Sequence, residues 1–445
     1  MRHEQQSGQA KNAWRVLILL FLVNLLNYFD RTIPGVVLEP IRKEFSLNDL
    51  QLGILNAAFV FIYAIAGIPL GRLADTKPRR YILSLGLGVW SALTAVTGLA
   101  WNFISLVLIR MGVGIGEASC APAATSMIGD LFPAEKRARA MGVFMLGLPL
   151  GLILAFVSVG LMVKAFGSWR IPFFIAAVPG MILAFFVLFI REPARGAAEN
   201  VSASSSAGAD ESRPMRRILK IKTVWWLILT GVTLNFASYG GNAFMVPLLQ
   251  RYFGLPIASA AVITGCIVGL TGLIGLTLGG YVADKIHQRS ETGRLQFGAA
   301  MLFVAAAATF IALRQDKAAL TAFAVLFGIG WLTYYTYFTT VYPALHDVVE
   351  PRLRATAMAV YFAGTYLLGG AAGTIVMGGL SDFFARRAME AAGAAELTEA
   401  FRAVGLHGAM YLVPVTILMT AVLVVAASIT FKKDHAAMLE RMEKG

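Results

Sequence analysis

The feature that most constrains this chain is a series of long apolar stretches that hold almost no charged residues. A helix needs about 20 apolar residues to cross the hydrocarbon core of a bilayer. Inside lipid the backbone must satisfy its own hydrogen bonds, which leaves only helices and closed barrels. The stretches are continuous rather than alternating, so they predict helices. We place twelve membrane spans, at approximately 14–38, 50–72, 81–100, 102–131, 139–165, 171–190, 223–251, 258–282, 295–313, 318–346, 354–381 and 408–431.

The composition agrees with a chain that lies mostly in lipid. Of its 445 residues, 58% are hydrophobic and 14% are charged, whereas soluble domains average about 25% charged residues. These values exclude a soluble enzyme, a disordered chain and a disulfide scaffold, and they predict a multi-pass protein with the lipid bilayer as a partner. The two cysteines, Cys120 and Cys266, lie inside apolar stretches and are expected to be packed thiols.

The distribution of basic residues predicts the orientation of the chain. A net charge of +13 could indicate a nucleic-acid partner, but membrane topology already explains basic residues in loops between spans. Of 38 Lys and Arg residues, 26 lie in or beside the N-terminal tail, alternate loops, the central linker and the C-terminal tail, and ten lie in the other loops. We therefore expect both termini to be cytoplasmic, in the plasma or inner cell membrane, with no nucleic-acid partner.

A polar segment divides the twelve spans into six and six. Residues 191–222 are rich in Ser, Ala and Arg, a composition typical of a linker. We therefore expect an N-terminal six-helix bundle over 1–190, a cytoplasmic linker over 191–222, a C-terminal six-helix bundle over 223–431 and a cytoplasmic tail over 432–445.

The two halves share a weak internal repeat. Residues 136–143 (KRARAMGV) and 353–360 (LRATAMAV) match at five of eight positions, at an offset of 217 residues. Residues 71–75 (GRLAD), after the second span, recur loosely as 280–284 (GYVAD), after the eighth. Because the matches fall at corresponding spans, they favour two halves related by an axis along the membrane normal, an architecture found in transporters. The alternative is that short basic loops simply look alike.

These segments resemble the major facilitator superfamily over nearly the whole chain. Residues 71–80 (GRLADTKPRR) resemble the signature loop between the second and third helices of that family, with Pro78 where a glycine is usual. More narrowly, residues 27–31 (NYFDR) and 110–119 (RMGVGIGEAS) resemble the spinster family of lipid transporters. The organic-anion:proton symporters of the same superfamily carry a similar Asp-Arg and Arg…Glu pattern. The resemblance implies an all-helical fold of two six-helix halves that works by alternating access.

The resemblance also implies a gate. In the superfamily the signature loop latches the two halves on the cytoplasmic side when the cavity faces outward. The residues expected to take part are Gly71, Asp75, Arg79 and Asp130. The alternative is a solvated basic loop that serves only to orient the chain.

Charged residues deep inside the spans are confined to two helices. The first span holds Asp30 and Arg31, and the fourth span holds Arg110 and Glu117. A charge at the bilayer centre costs about 2.5–3.5 kcal/mol on insertion scales, so these four require an explanation. At a rise of about 1.5 Å per residue, Asp30 and Arg110 share a depth, and Glu117 lies near the midplane.

These four residues predict a proton-coupling site. The protonation state of a carboxylate in a medium of low dielectric depends on its hydration and on neighbouring arginines, both of which change when a cavity opens. We expect Asp30 and Glu117 to carry protons, with Arg110 as their switchable partner and as a group that binds an acidic substrate. Arg31 would bind substrate or anchor the helix. The alternative is a static salt-bridge cluster that fixes helix packing.

The second half offers polar and aromatic side chains instead of charges. Tyr239 and Asn242 lie on a polar face of the seventh span, and Tyr335 belongs to an aromatic stripe of the tenth. The stripe comprises Trp331, Tyr334, Tyr335, Phe338 and Tyr342. Such a stripe more often serves packing than binding, but if it faces the cavity it suits an amphiphile better than a small multivalent anion. We expect Tyr239, Asn242 and Tyr335 to contact the substrate.

The sequence therefore predicts a monomeric secondary active transporter, coupled to protons, that moves a lysolipid or sphingolipid-like amphiphile. The alternative substrate is a small organic anion such as a sugar acid, carried by proton symport. A more distant alternative is a passive lipid scramblase or a receptor. The sequence contains no nucleophile motif, phosphate loop or His/Cys cluster with metal-ligand spacing. We therefore expect no enzyme activity, no cofactor and no metal.

Overall fold

The computed structural model describes residues 2–193, 217–350 and 353–443, without the side chains of 2–12, 75, 134–135, 138, 355 and 443. All regular elements in these ranges are helical. The α-helices are α1 Arg2–Val36, α2 Leu38–Glu44, α3 Asp49–Thr76, α4 Arg79–Thr97, α5 Phe103–Glu117, α6 Cys120–Leu131, α7 Ala134–Met145, α8 Gly147–Phe166, α9 Ile171–Leu188, α10 Lys222–Arg251, α11 Ile257–Gly265, α12 Thr271–His287, α13 Gly293–Leu313, α14 Leu320–Tyr334, α15 Thr336–Asp347, α16 Arg354–Gly364, α17 Ala372–Ala391, α18 Glu399–Met410 and α19 Leu412–Glu443.

These helices coincide with the predicted spans. Among the described residues, ten stretches of helix are long and apolar enough to cross a membrane. The third and seventh predicted spans are the helices α4 and α10, which are richer in polar residues and fall outside those ten. Four spans each consist of two consecutive helices: α5 with α6, α7 with α8, α14 with α15, and α18 with α19. The all-helical membrane fold is therefore confirmed.

The chain forms two compact units. The first comprises Met1–Val37 and Phe61–Asp210, and in it α1 packs on α8 while α4 packs on α9 and α5. The second comprises Leu38–Val60 and Glu211–Gly445, and in it α19 packs on α10 and α13 while α17 packs on α18. The helix α2 and the first turns of α3 thus belong with the helices that follow the linker. The division into six spans on each side of the linker stays a prediction.

Two spans of the second unit contain a π-helical segment. Cys266–Leu270 separates α11 from α12, and Thr365–Ala371 separates α16 from α17. Such segments are rare and occur frequently at functional positions. The first segment is hydrogen-bonded to Tyr335, the residue between α14 and α15. The Tyr335 hydroxyl donates to the Val268 carbonyl at 2.8 Å.

Candidate functional site

A cluster of buried charges joins α1, α4 and α5 in the first unit. The carboxylate of Asp30 is fully buried, and its Oδ2 accepts a hydrogen bond of 3.2 Å from the indole of Trp90. Its Oδ1 has no hydrogen-bond partner among the described residues. A buried carboxylate oxygen without a donor is costly. A proton or a further donor at this oxygen would therefore stabilise the cluster.

Glu117 is the second fully buried carboxylate of the cluster. Its Oε2 lies 3.1 Å from both Nε and Nη2 of Arg31. The same guanidinium donates a 3.1 Å hydrogen bond to Asn27 and lies over the rings of Tyr28 and Tyr63, at 5.1 Å and 4.5 Å from their centroids. Arg31 is therefore held by an ion pair, an amide oxygen and two aromatic rings.

Arg110 completes the cluster. It is 4% exposed and interacts electrostatically with both Asp30 and Glu117. The structure thus brings together the four charged residues that the sequence singles out in the first and fourth spans. A hydrogen-bonded ion pair joins Glu117 to Arg31, a contact that the sequence analysis did not include. The role of Arg110 as the switchable partner of the carboxylates stays a prediction.

Three residues of the cluster were missed in the sequence analysis as site residues. Asn27 had a detectable signal, because it precedes Arg31 by four residues and so lies on the same helix face. Trp90 and Tyr63 belong to α4 and α3 and carry no such signal, since only the packing of the helices brings them to the charges.

Close packing of α4 on α5 positions these groups. A Cβ atom at Gly116 would lie 2.8 Å from the Cβ of Trp90 and 3.0 Å from the carbonyl oxygen of Gly86. Real Cβ atoms essentially never come so close to another heavy atom. The glycine directly before Glu117 therefore allows the two helices to approach at the depth of the charges.

Gly116→Ala is expected to destabilise the protein by about 1–3 kcal/mol, because the added methyl group overlaps Trp90 and the backbone of α4. The measurement is the thermal unfolding midpoint of the purified protein in detergent. Gly71→Ala is the matched control, since a Cβ at Gly71 meets no atom within 4 Å. Equal midpoints for the two variants would contradict the packing described here.

A second set of expected residues surrounds Arg79 at the start of α4. Its fully buried guanidinium forms an ion pair with Asp130 and donates hydrogen bonds of 2.9 Å to Ser126 and Glu192. Burial alone would raise the pKa of Glu192, but the hydrogen bonds from Arg79 hold that pKa below its ordinary value of 4.5. Glu192 was not expected at this site, because in the sequence it belongs to the linker.

The other two expected gating residues lie near the end of α3. Gly71 is helical, and a Cβ added there would point into open space. The side chain of Asp75 lies outside the described residues. Its part in a latch with Arg79 therefore stays a prediction.

The aromatic stripe of the second unit divides into a packed part and an accessible part. Trp331, Tyr334 and Tyr335 are buried, the last with its hydroxyl bound to a backbone carbonyl. Phe338 and Tyr342 are partly exposed. The first three rings of the stripe therefore pack inside the unit, and the last two are partly accessible. Contact of Tyr335 with the substrate stays a prediction.

The polar face of α10 is also partly accessible. Tyr239 packs edge-on against Tyr366, with ring centroids 6.0 Å apart, and Asn242 donates a long hydrogen bond of 3.4 Å to Ser238. Both Tyr239 and Asn242 are partly exposed. In the part of the chain that the structure describes, no group of three or more His, Cys, Asp or Glu side chains could hold a metal ion.

A second buried ion cluster, which we call the Arg251 cluster, lies in the second unit and comprises Glu39, Arg42, Asp49, Arg251 and Asp382. Arg251 at the end of α10 donates 2.7 Å to Glu39 and 2.8 and 2.9 Å to the two oxygens of Asp49. Arg42 binds the same Glu39 at 2.6 Å. The sequence analysis missed this cluster, because it counted Arg42 and Arg251 only as basic residues of separate loops.

Asp382 connects the start of α3 to the Arg251 cluster. Its two carboxylate oxygens accept hydrogen bonds from the backbone N–H groups of Asp49 and Leu50, at 3.1 Å and 2.9 Å. These are the N–H groups at the beginning of a helix, which have no partner within the helix itself. The residue thus caps α3 from α17, over 330 residues away in the chain.

The internal repeat extends to individual contacts. Arg137 in the first unit donates a 3.0 Å hydrogen bond to the carbonyl of Gly129. Arg354 in the second unit donates a 3.0 Å hydrogen bond to the carbonyl of His346. Donors and acceptors are both related by the offset of 217 residues found in the sequence. In each unit the arginine binds a carbonyl in the last turn of the preceding helix, which favours a true repeat.

Comparisons with known proteins agree with this geometry. Residues 20–374 match the sequence model of the Major Facilitator Superfamily. The crystal structure of a bacterial homolog to the human lysosomal transporter Spinster, inward-facing and unoccupied, is 29% identical with a TM-score of 0.84, over 95% of this chain and 98% of that chain. The sphingosine-1-phosphate transporter SPNS2 of Danio rerio is 29% identical over 82% of this chain and 75% of its own length. The probable L-galactonate transporter of Escherichia coli (strain K12) is 29% identical over 76% of this chain and 77% of its own.

The resemblance to spinster transporters that the sequence indicated is therefore confirmed. The family and the fold are those of membrane transporters rather than of enzymes. The family match extends over well more than half of the chain and includes the charged cluster of α1 and α5. This chain is thus a multi-pass membrane transporter that belongs to the major facilitator superfamily.

Proposed function

We propose that this transporter is driven by protons and moves a lysolipid or sphingolipid-like amphiphile by alternating access. The observation that carries the proposal is the buried cluster of Asp30, Arg31, Arg110 and Glu117. Charges within the membrane are rare and typically mark ion pathways and proton relays. Two carboxylates that share two arginines in a medium of low dielectric can exchange an ion pair for a proton, which is the step that proton coupling requires.

Glu117 and Arg31 form the switching pair of the proposed mechanism. The ionised carboxylate of Glu117 holds Arg31 through Nε and Nη2. Protonation removes the charge that holds the guanidinium, which then becomes available to an anionic group of the substrate. Asp30 offers a second proton site, because its Oδ1 has no donor among the described residues. Arg110 compensates whichever carboxylate stays ionised.

Accessible aromatic and polar side chains of the second unit support an amphiphilic substrate. Phe338, Tyr342, Tyr239 and Asn242 are partly exposed, and aromatic rings offer large apolar contact surfaces with few flexible bonds. The similarity to a sphingosine-1-phosphate transporter points the same way. The similarity to a probable L-galactonate transporter favours a sugar acid as the second candidate, for which the arginines of the first unit would supply the charge.

We also propose that both termini are cytoplasmic and that the transporter is a monomer. The excess of basic residues in the tails, alternate loops and linker supports this orientation. The end of each unit that carries these basic loops is called the inner end below.

Counterflow in proteoliposomes tests the proposal. Liposomes that contain the purified protein are loaded with an unlabelled short-chain lysolipid or a sugar acid and are placed in a trace of the labelled compound. A carrier exchanges its substrate saturably, whereas a scramblase only equilibrates the two leaflets. We expect saturable exchange of the lysolipid and little exchange of the sugar acid.

A pH gradient then tests the coupling. If one proton moves with each substrate, a difference of one pH unit should sustain a substrate gradient of about tenfold, because both correspond to about 1.4 kcal/mol. Saturable exchange of the sugar acid alone would favour the second candidate. Substrate exchange that a pH gradient does not change would contradict proton coupling.

A further inference from the structure

The ion-pair network around Arg79 has a looser counterpart at the inner end of the second unit. There Arg294, in the first turn of α13, lies 3.3 Å from Asp347 at the end of α15 and 3.4 Å from Asp284 near the end of α12. Both distances are long for charge-assisted hydrogen bonds. The Nε of Arg294 is buried and has no hydrogen-bond partner among the described residues. Arg79, by contrast, uses Nε, Nη1 and Nη2 on carboxylate, hydroxyl and carbonyl oxygens.

A cavity of about 460 Å³ opens beside this looser network. Its lining consists of Arg294, Phe338, Tyr342, Pro343, His346, Asp347 and Arg354. The Nε of Arg354 binds the carbonyl of His346, and its two terminal nitrogens have no hydrogen-bond partner within the described ranges. The cavity therefore combines unused guanidinium donors with the two accessible rings of the aromatic stripe.

The lining carries an excess of positive charge. Arg294 and Arg354 contribute two formal positive charges to the lining, and Asp347 contributes one formal negative charge. Asp284 also faces Arg294, but its side chain is 73% exposed and lies outside the lining, so water screens its charge. His346 also lines the cavity and adds no negative charge to it. Such a lining is suited to an anion.

We propose that this cavity binds the anionic group of an amphiphile, a phosphate monoester or a carboxylate. Arg354 and Arg294 donate to its oxygens, because the planar guanidinium matches an oxyanion with two parallel N–H groups. Phe338 and Tyr342 contact the apolar part that follows the charged group. The site is built from α13, α15 and α16 and uses none of the four charges of the first unit. This proposal rests on the proposed function only in taking the ligand to be an amphiphile.

Equilibrium binding to the purified full-length protein in detergent tests this site without transport. The probes are lysophosphatidic acid, lysophosphatidylcholine, whose headgroup carries no net charge, and inorganic phosphate. We expect lysophosphatidic acid to bind most tightly of the three. Arg354→Gln should weaken its binding about tenfold, which corresponds to the loss of one hydrogen bond to a charged group.

Arg137→Gln is the matched control, since Arg137 makes the equivalent carbonyl contact in the first unit. It should weaken binding of lysophosphatidic acid by no more than about twofold, a change below the loss of a single hydrogen bond. Unchanged affinity in Arg354→Gln, or an equal loss in both variants, would overturn the proposal. Inorganic phosphate that binds as tightly as lysophosphatidic acid would also overturn it, because the site would then be one for a free anion.

A photoreactive lysophosphatidic acid keeps the test valid if Arg354→Gln does not fold. On the wild-type protein the label should fall on residues of the cavity lining, in α13, in α15 or at Arg354, and labelling confined to α1 and α5 would refute the site. Because these measurements require neither exchange nor a pH gradient, they stand apart from the counterflow experiments. Binding at this cavity without proton coupling would leave the site in place while the proposed function failed.

Discussion

Replacing Glu117 with glutamine is expected to abolish proton-driven accumulation of the substrate and to leave substrate exchange in place. The amide has nearly the shape of the carboxyl group and still offers an oxygen to Arg31, which lies 3.1 Å from Oε2. It cannot take up or release a proton. The pair of Glu117 and Arg31 would therefore stay in one charge state throughout the transport cycle.

The size of this effect follows from the driving force. With a difference of one pH unit and one proton per substrate, the wild-type protein should sustain a substrate gradient of about tenfold. The Glu117→Gln variant should reach a ratio of about one, since no free energy from the proton gradient is transferred to the substrate. The measurement is the ratio of labelled substrate inside and outside proteoliposomes at steady state.

Glu396→Gln is the control, because it makes the same chemical change at an exposed residue outside the helices. It should accumulate substrate as the wild type does. Accumulation that persists in Glu117→Gln would remove this residue from the coupling mechanism. A large fall in the thermal midpoint, with loss of exchange as well, would instead support the alternative of a static salt-bridge cluster.

Replacing Arg251 with glutamine is expected to lower the free energy of unfolding by about 3–5 kcal/mol, the range measured when one partner of a buried ion pair is removed. Arg251 makes three hydrogen bonds of 2.7 to 2.9 Å to two carboxylates, and its side chain is 3% exposed. Without it, the Asp49 carboxylate keeps one hydrogen bond among the described residues, which the Ser381 hydroxyl donates at 2.6 Å. The measurement is an unfolding titration with sodium dodecyl sulfate in mixed micelles.

The loss should depend on pH in a defined direction. Burial alone would raise the pKa of Glu39, but the charges of Arg251 and Arg42 and their hydrogen bonds hold it below the ordinary value of 4.5. A lowered pKa means that the stabilisation is fully present above pH 4.5 and is lost as the pH falls through the folded-state value. The difference between the wild type and Arg251→Gln should therefore be largest near neutral pH and should shrink below pH 4.5.

Arg386→Gln is the control for this variant, since Arg386 is an exposed arginine near the end of α17. It should change the free energy of unfolding by less than about 0.5 kcal/mol. If Arg251→Gln unfolded as the wild type does at neutral pH, the Arg251 cluster would not hold residues 38–60 to the second unit. A difference between the two proteins that grew on acidification would contradict the role assigned to the carboxylates.

The positions of the helices could be read from the sequence because lipid imposes a local rule. About twenty apolar residues must lie together wherever the chain crosses the bilayer, whatever the other helices do. The same rule makes charges inside a span conspicuous, so Asp30, Arg31, Arg110 and Glu117 stood out without any knowledge of their neighbours. The repeat was visible for a similar reason, since Arg137 and Arg354 occupy matching places in two similar segments.

The residues that contact those charges could not be predicted from the sequence. Whether Glu117 meets Arg31 or Arg110 depends on how α1 rotates against α5, and adjacent residues of one helix point in different directions. The role of Trp90 depends on α4 packing closely enough on α5 for its indole to reach Asp30. Neither contact can be predicted from the periodicity of a single helix.

The sequence by itself determined that this chain is a bundle of membrane-spanning helices with charges concentrated in two of them. The reason is that the cost of placing polar groups in hydrocarbon acts on each segment separately. Only the tertiary structure decided which charges meet, which rings stay accessible, and that Arg251, Glu39 and Asp49 form one buried cluster. Ion pairs act over a few ångströms, and the partners here are joined by packing across as many as 212 positions of the chain.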